Sequence, residues 1–308
     1  MQAIHIIMSE LCNLDCDFCC IQSPKRHDIL DSKTFIEWFK SFENKSESYI
    51  FHFTGGEPIL QSDKILDIIE NTNVTYEIGT NLTYEITPKI MSILERCAIF
   101  TSWDPIPLRF KTQKNFELWK ENCELIKPRS VAIILTKEVL SLDPRKIFED
   151  MLSYNITTIE FWYLCLTGNA SRLSSPSWDD IDNWLCRAYD NRLPELSVNS
   201  FDILRARLHK ESSFDKLIQV DIDGSINIPP VSENIQQFPK QLISAKKVNI
   251  ENVNTQNKST NIHLYCSTCW FYIYCVGKYF HFRNKDDFCA FPKKLAKRIA
   301  SDSNIMIV

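Results

Sequence analysis

The sequence predicts an α/β fold built on a parallel sheet, and two observations carry that prediction. Short runs rich in β-branched and aromatic residues alternate with helix-length amphipathic segments over roughly the first 200 of the 308 residues. Each helical segment also has a cap-like Ser, Thr or Asp near its start. Strands joined by single helices cross over right-handedly. Six such units give either an open doubly wound sheet or a curved partial barrel, and in both the chemistry sits at the C-terminal strand ends.

The first strand falls at residues 4–8 and runs directly into a cysteine-rich loop. A helix at 32–44 leads to a second strand at 49–54, which ends in Gly55-Gly56-Glu57-Pro58. The chain has six glycines in all, so an adjacent pair marks a place where the backbone needs them. A helix at 62–70 leads to strand three at 75–80, and Thr87-Pro88 opens a helix at 87–96 before strand four at 98–103. A helix at 112–127 precedes strand five at 131–136. Asp143-Pro144 opens the helix at 144–154 before strand six at 158–164, and a helix at 178–192 ends the series. From about Phe201 the rhythm stops. Two short runs, 218–222 and 225–228, flank Asp223-Gly224 as a hairpin. A polar stretch at 232–260 and a cysteine- and aromatic-rich tail follow, so the chain is divided into units at 1–205 and 206–308.

Composition narrows the function. With 44% hydrophobic and 24% charged residues, a disordered or fibrous chain is excluded. A net charge of -4 gives no basic field to collect nucleic acid or anionic lipid, so neither partner is expected. No apolar run approaches the roughly 18 residues of a membrane helix, and the N-terminus has no secretory pattern. A cytoplasmic, reducing setting is expected. There the twelve cysteines serve as metal ligands, redox groups or buried filler rather than as disulfides.

Cys12, Cys16 and Cys19 follow the first strand in a C-x3-C-x2-C spacing. Thiolates suit iron–sulfur clusters, zinc or Cu(I). Three of them on a four-iron cluster leave one iron open for a ligand, whereas structural zinc takes a closed set of four. A zinc loop is the alternative on spacing alone. The Gly55-Gly56-Glu57-Pro58 turn adds a place where a ligand can approach the backbone beside a carboxylate, and a ligand with an α-amino group fits.

Together these motifs, with Phe18 just before the last cysteine, resemble the radical S-adenosylmethionine (SAM) enzymes over roughly the first 200 residues. The resemblance implies a partial (β/α)6 barrel in which Cys12, Cys16 and Cys19 hold a [4Fe-4S] cluster. It implies that S-adenosylmethionine binds the open iron and is cleaved to a 5′-deoxyadenosyl radical, which takes a hydrogen atom from substrate. Gly55, Gly56 and Glu57 would hold the methionine amino group, and Phe18 would lie by the adenine. Asn81, Ser102 and Asp104 would meet the ribose and carboxylate. Leu82 stands where the family has glycine after that asparagine.

Cys266, Cys269, Cys275 and Cys289 form a second, closed set of four thiolates suited to zinc or a fully ligated cluster. The set resembles a reduced SPASM domain, the auxiliary-cluster domain of peptide-modifying radical enzymes. Tyr279 and a cysteine-free hairpin replace the ligands of that domain's other cluster. Two [4Fe-4S] clusters are therefore expected. For the other five cysteines, Cys20, Cys97, Cys123, Cys165 and Cys186, core packing is the default, and Cys97 and Cys123 fit it well. Cys165 ends strand six on the reactive rim, where a thiol can return a hydrogen atom to a substrate radical.

The expected function is oxidoreductase chemistry on a ribosomally made peptide: epimerisation, cross-linking or thioether formation. An electron donor of the flavodoxin or ferredoxin type is implied. Strand one begins within the first few residues, so leader recognition is expected to be absent, minimal or delegated. The alternatives are a radical dehydrogenase of a small alcohol or sugar, and a zinc-stabilised binding module.

Overall fold

The structure is a computed structural model that describes residues 2–21, 27–41, 49–164, 168–208, 217–220, 226–227 and 292–303. All six expected strands form: β1 (Gln2–Ser9), β2 (Tyr49–Gly55), β3 (Tyr76–Thr80), β4 (Cys97–Ser102), β5 (Ser130–Leu135) and β6 (Thr158–Tyr163). The expected helices lie between and after them: α1 (Ser32–Ser41), α2 (Ser62–Asn71), α3 (Pro88–Leu94), α4 (Gln113–Ile126), α6 (Pro144–Ser153) and α7 (Trp178–Asp190). The cap signals of α3 and α6 hold in detail, whereas Ser62 falls inside α2, which follows Gln61 without a side-chain cap. Thr87 accepts from the Ile90 amide and Asp143 from the Arg145 amide, each just ahead of a helix-opening proline.

Among the described residues the expected plan gains the five-residue α5 (Lys137–Ser141), β7 (Ser197–Val198), α8 (Asn199–Leu208) and α9 (Lys293–Asp302), besides two short 3-10 helices at Pro58–Gln61 and Gly168–Arg172. The rhythm thus runs on past Phe201. The hairpin also forms, as β8 (Leu217–Val220) and β9 (Ile226–Asn227), and β8 joins the main sheet parallel to β1.

Strand order decides between the two architectures. The sheet reads β7-β6-β5-β4-β3-β2-β1-β8-β9, parallel except for β9. From β1 to β7 each strand lies beside its predecessor, with no reversal of direction. Right-handed crossovers that always step the same way put every helix on the same face, which is barrel winding and not the doubly wound alternative. The sheet stays unclosed, with β7 and β9 at its edges.

The helix-facing side is apolar. Ile4, Ile6, Phe51, Phe53 and Ile78 pack against Phe35 and Trp38 of α1 and Ile65 of α2. Val131, Ile133, Ile159 and Phe161 pack against Trp119, Phe148 and Trp184, and Leu295, Ala296 and Ile299 of α9 enter this same core. Cys123 is buried there and Cys97 packs at the edge of the first core, as read from the sequence, while Cys186 also touches the second. Because strand residues alternate sides, His5, His52, Glu77, Phe100, Ser102, Ile134, Glu160 and Trp162 line the opposite, inner face.

Candidate active site

Four strand ends converge on the cysteine loop. The Gly56 amide donates to the Ser9 carbonyl at 2.7 Å and the Glu57 amide to the Leu11 carbonyl at 2.8 Å, which joins the β2 turn to the loop's entry. From β3, Asn81 Nδ2 donates to Asn13 Oδ1 at 2.8 Å, and Asn13 Nδ2 donates to the Thr83 carbonyl at 2.8 Å. From the β4 end, the Leu108 carbonyl accepts from the Asp17 amide at 3.2 Å. After β6, Asn169 Nδ2 donates to the Cys16 carbonyl at 3.3 Å and the Ala170 amide to the Cys19 carbonyl at 3.2 Å.

The two glycines of the turn have a clear reason. A Cβ on Gly55, whose φ is +130°, would stand 2.2 Å from the Ser9 carbonyl oxygen, and one on Gly56 would stand 2.2 Å from that of Leu11. What approaches their backbone so closely is the cysteine loop itself, where the sequence suggested a ligand.

The Cys12, Cys16 and Cys19 side chains pack in one small apolar group with Leu14, Phe18, Leu108, Ile134, Leu164 and Ala170. Asn81 Nδ2 lies 3.6 Å from Cys12 Sγ as a donor. Burial pushes the Cys16 thiol up to about 11, partly opposed by the Arg109 guanidinium. Among the described residues no three His, Cys, Asp or Glu surround a single metal ion. A cubane differs in that each thiolate holds a different iron. Three soft donors on one turn, in an apolar pocket beside a fixed positive charge, suit such a cluster.

Arg109 is the residue that sequence reading missed. Its Nε donates to Asp104 Oδ2 at 2.7 Å, and its guanidinium lies 4.9 Å from the Phe18 ring centre. Asp104 is 0% exposed and also accepts from the Ile134 amide at 2.9 Å. Burial lifts its carboxyl to about 6 although Arg109 pulls the other way. An acid and an arginine five residues apart are a common solvated pair, so spacing alone held no signal of this burial.

Glu57, 1% exposed, accepts from the Ile59 amide at 3.2 Å, Thr80 Oγ1 at 2.8 Å and the Asn81 amide at 2.7 Å. Its carboxylate thus ties the β2 turn to the end of β3. Leu82 takes the left-handed backbone, φ 52°, that a glycine adopts freely. The conformation costs roughly 1–2 kcal/mol, and burial of the leucine side chain offsets a similar amount, roughly 1.5–3 kcal/mol. Ser102 ends β4 on the inner face, half-buried. Cys165 and the four C-terminal cysteines, Cys266, Cys269, Cys275 and Cys289, lie outside the described residues.

Residues 6–161, just over half of the chain, match the Radical SAM superfamily, and the chain belongs to that family. It is a radical SAM enzyme, which sets aside the zinc-binding module; the family implies S-adenosylmethionine and an iron–sulfur cluster. Among solved structures the fold is similar to native anSMEcpe with bound AdoMet. The TM-score is 0.72 at 19% identity, and the match covers 98% of each chain. It is also similar to Streptococcus suis SuiB bound to S-adenosylmethionine, with TM-score 0.66 at 13% identity over 89% of this chain and 72% of that one. The same enzyme has been solved with its precursor peptide SuiA, and anSMEcpe with AdoMet and the Cp18Cys peptide. No curated protein sequence matches the chain significantly. Among the described residues no helix is long and apolar enough to cross a membrane.

Proposed function

We propose that this chain modifies a peptide by radical chemistry. The observation that carries the reading is the site itself: three thiols share one pocket at the C-terminal rim, clamped by four strand ends over an inner face lined with polar and aromatic groups. Likeness in fold to two enzymes solved with peptides bound supports a peptide substrate.

In this reading Cys12, Cys16 and Cys19 hold the [4Fe-4S] cluster, and the backbone of Gly55 to Glu57, with Phe18, Asn81 and Ser102, holds S-adenosylmethionine, while the buried Asp104 serves that site by fixing Arg109. When bound, the pair supplies a hydrogen-abstracting radical. The chain's own part is to fix geometry and keep water out. Glu57 and Asn81 lock the turn against the loop, Leu14, Leu108 and Leu164 dry the pocket, and Arg109 offsets thiolate charge. Cys266, Cys269, Cys275 and Cys289 hold a second cluster in a SPASM-like unit, Cys165 returns hydrogen to the substrate, and a flavodoxin- or ferredoxin-type protein in the cytoplasm supplies the electron.

The test is anaerobic reconstitution with iron and sulfide, then S-adenosylmethionine and dithionite. Release of 5′-deoxyadenosine is expected from the wild type and not from Cys12→Ala, Cys16→Ala or Cys19→Ala. Cys269→Ala is expected to keep that release while losing the change in peptide mass. A reconstituted wild-type chain that never releases 5′-deoxyadenosine refutes the cofactor assignment, and one that releases it without altering any peptide of the neighbouring genes refutes the substrate.

A further inference from the structure

We infer that Trp162 and Glu160, on the inner face of the barrel, form a binding site for a cationic side chain of the substrate, best a guanidinium; the inference rests on the peptide reading above. A belt of rings crosses this face. The His5 and His52 rings are 5.0 Å apart, His52 meets Phe100 edge-on at 5.9 Å, and Phe100 stacks on Trp162 at 5.4 Å with 25° between planes. Small residues on the intervening strands make the contacts possible. Gly79 leaves room for both His52 and Phe100, where a Cβ would come within 2.8 Å of His52 Nε2, and Ala132 stands on the strand between Phe100 and Trp162.

Two carboxylates stand along the belt, Glu77 near its middle and Glu160 at its β6 end, and the two are not equivalent. Glu77 faces His52 Nδ1 at 3.6 Å and Arg129 Nη1 at 3.9 Å, so its charge is already matched. Glu160 is held by two neutral donors, Trp162 Nε1 at 3.1 Å and Asn199 Nδ2 at 2.8 Å. Among the described residues no Lys, Arg or His pairs with it. A negative charge is thus fixed in place, with no cationic partner among the described residues, beside an indole that is 45% exposed. Phe100 covers one face of that indole, and in the inferred site a flat cation stacks on the other, with Glu160 as its hydrogen-bond acceptor. Trp162 lies two residues before Leu164 and pairs with Ile134, and both of these pack against the cysteine pocket. A side chain gripped here would sit about 7 Å below the rim, one strand repeat away.

The probes are N-acetyl-arginine amide and its neutral isostere N-acetyl-citrulline amide, titrated into the holoenzyme carrying 5-fluorotryptophan. Trp162 is one of seven tryptophans, and its fluorine signal is identified by its absence in Trp162→Phe. Saturable movement of that signal by the arginine probe is expected, with the citrulline probe about tenfold weaker. Glu160→Gln is expected to abolish the preference. An immobile Trp162 signal, equal response to the two probes, or an undiminished preference in Glu160→Gln overturns the proposal. The wild-type comparison needs no variant to fold. A holoenzyme that alters a peptide yet does not discriminate the probes defeats this site alone, whereas failure to act on peptides defeats the reading beneath it.

Discussion

Glu57 shows how one side chain can be legible in kind and not in role. The motif marked it as part of the site, and the structure gives its carboxylate three donors from its own chain. Burial lifts its pKa to about 7 from 4.5, only partly countered by those donors. Between these values the folded chain holds a proton that the unfolded chain has released. The resulting stability is therefore full below the window and is lost as pH rises through it. Asp104, raised from 3.8 to about 6, acts in the same direction. Urea midpoints measured under reducing conditions at about pH 5 and about pH 7.5 are expected to fall with rising pH, and less steeply in Glu57→Gln. An identical slope in the variant contradicts the assignment. Asn81 was legible as a site residue too, but its amide on Cys12 Sγ depends on a fold that brings together residues 69 apart, which no local pattern encodes.

At the level of elements, the six expected strands and the helices up to α7 other than α5 were readable because each has its own periodicity, and α3, α4, α6 and α7 have a side-chain cap as well. α9 escaped because only two residues of its buried stripe, Leu295 and Ile299, are large and apolar, with Ala296 and Ala300 beside them in a segment otherwise mostly charged. α5 is too short to show a period. The cysteine loop was readable in its ligands and unreadable in its clamps, since the second partners come from β2, β3, β4 and β6. The tightest clamp is at Gly56. An added methyl has to displace the carbonyls of Leu11 and Glu10, at 2.2 and 2.5 Å, and both are backbone. Gly56→Ala is therefore expected to take up well under the wild-type iron on anaerobic reconstitution, measured as iron per folded chain. Full iron content would show that the loop can move aside at no cost.

Over the whole molecule, the unidirectional strand order places the helices on one side and leaves the other for chemistry. The same order brings the β8–β9 hairpin to the β1 edge, while α9 lies against α7 and α8. Asp182 of α7 receives the Lys294 and Leu295 amides at 2.7 and 2.9 Å, and Arg298 donates to Asp190 at 2.8 Å. The described elements on either side of residues 228–291 are thus each held, β9 by β8 and α9 by α7. A single cut there by a protease recognition sequence inserted at 232–260 should yield two pieces that travel together through gel filtration and part only in denaturant. Loss of the smaller piece under native conditions would count against this. If they do stay together, the enzyme can be made as two separately expressed halves, with the last helix acting as the clasp that reunites them.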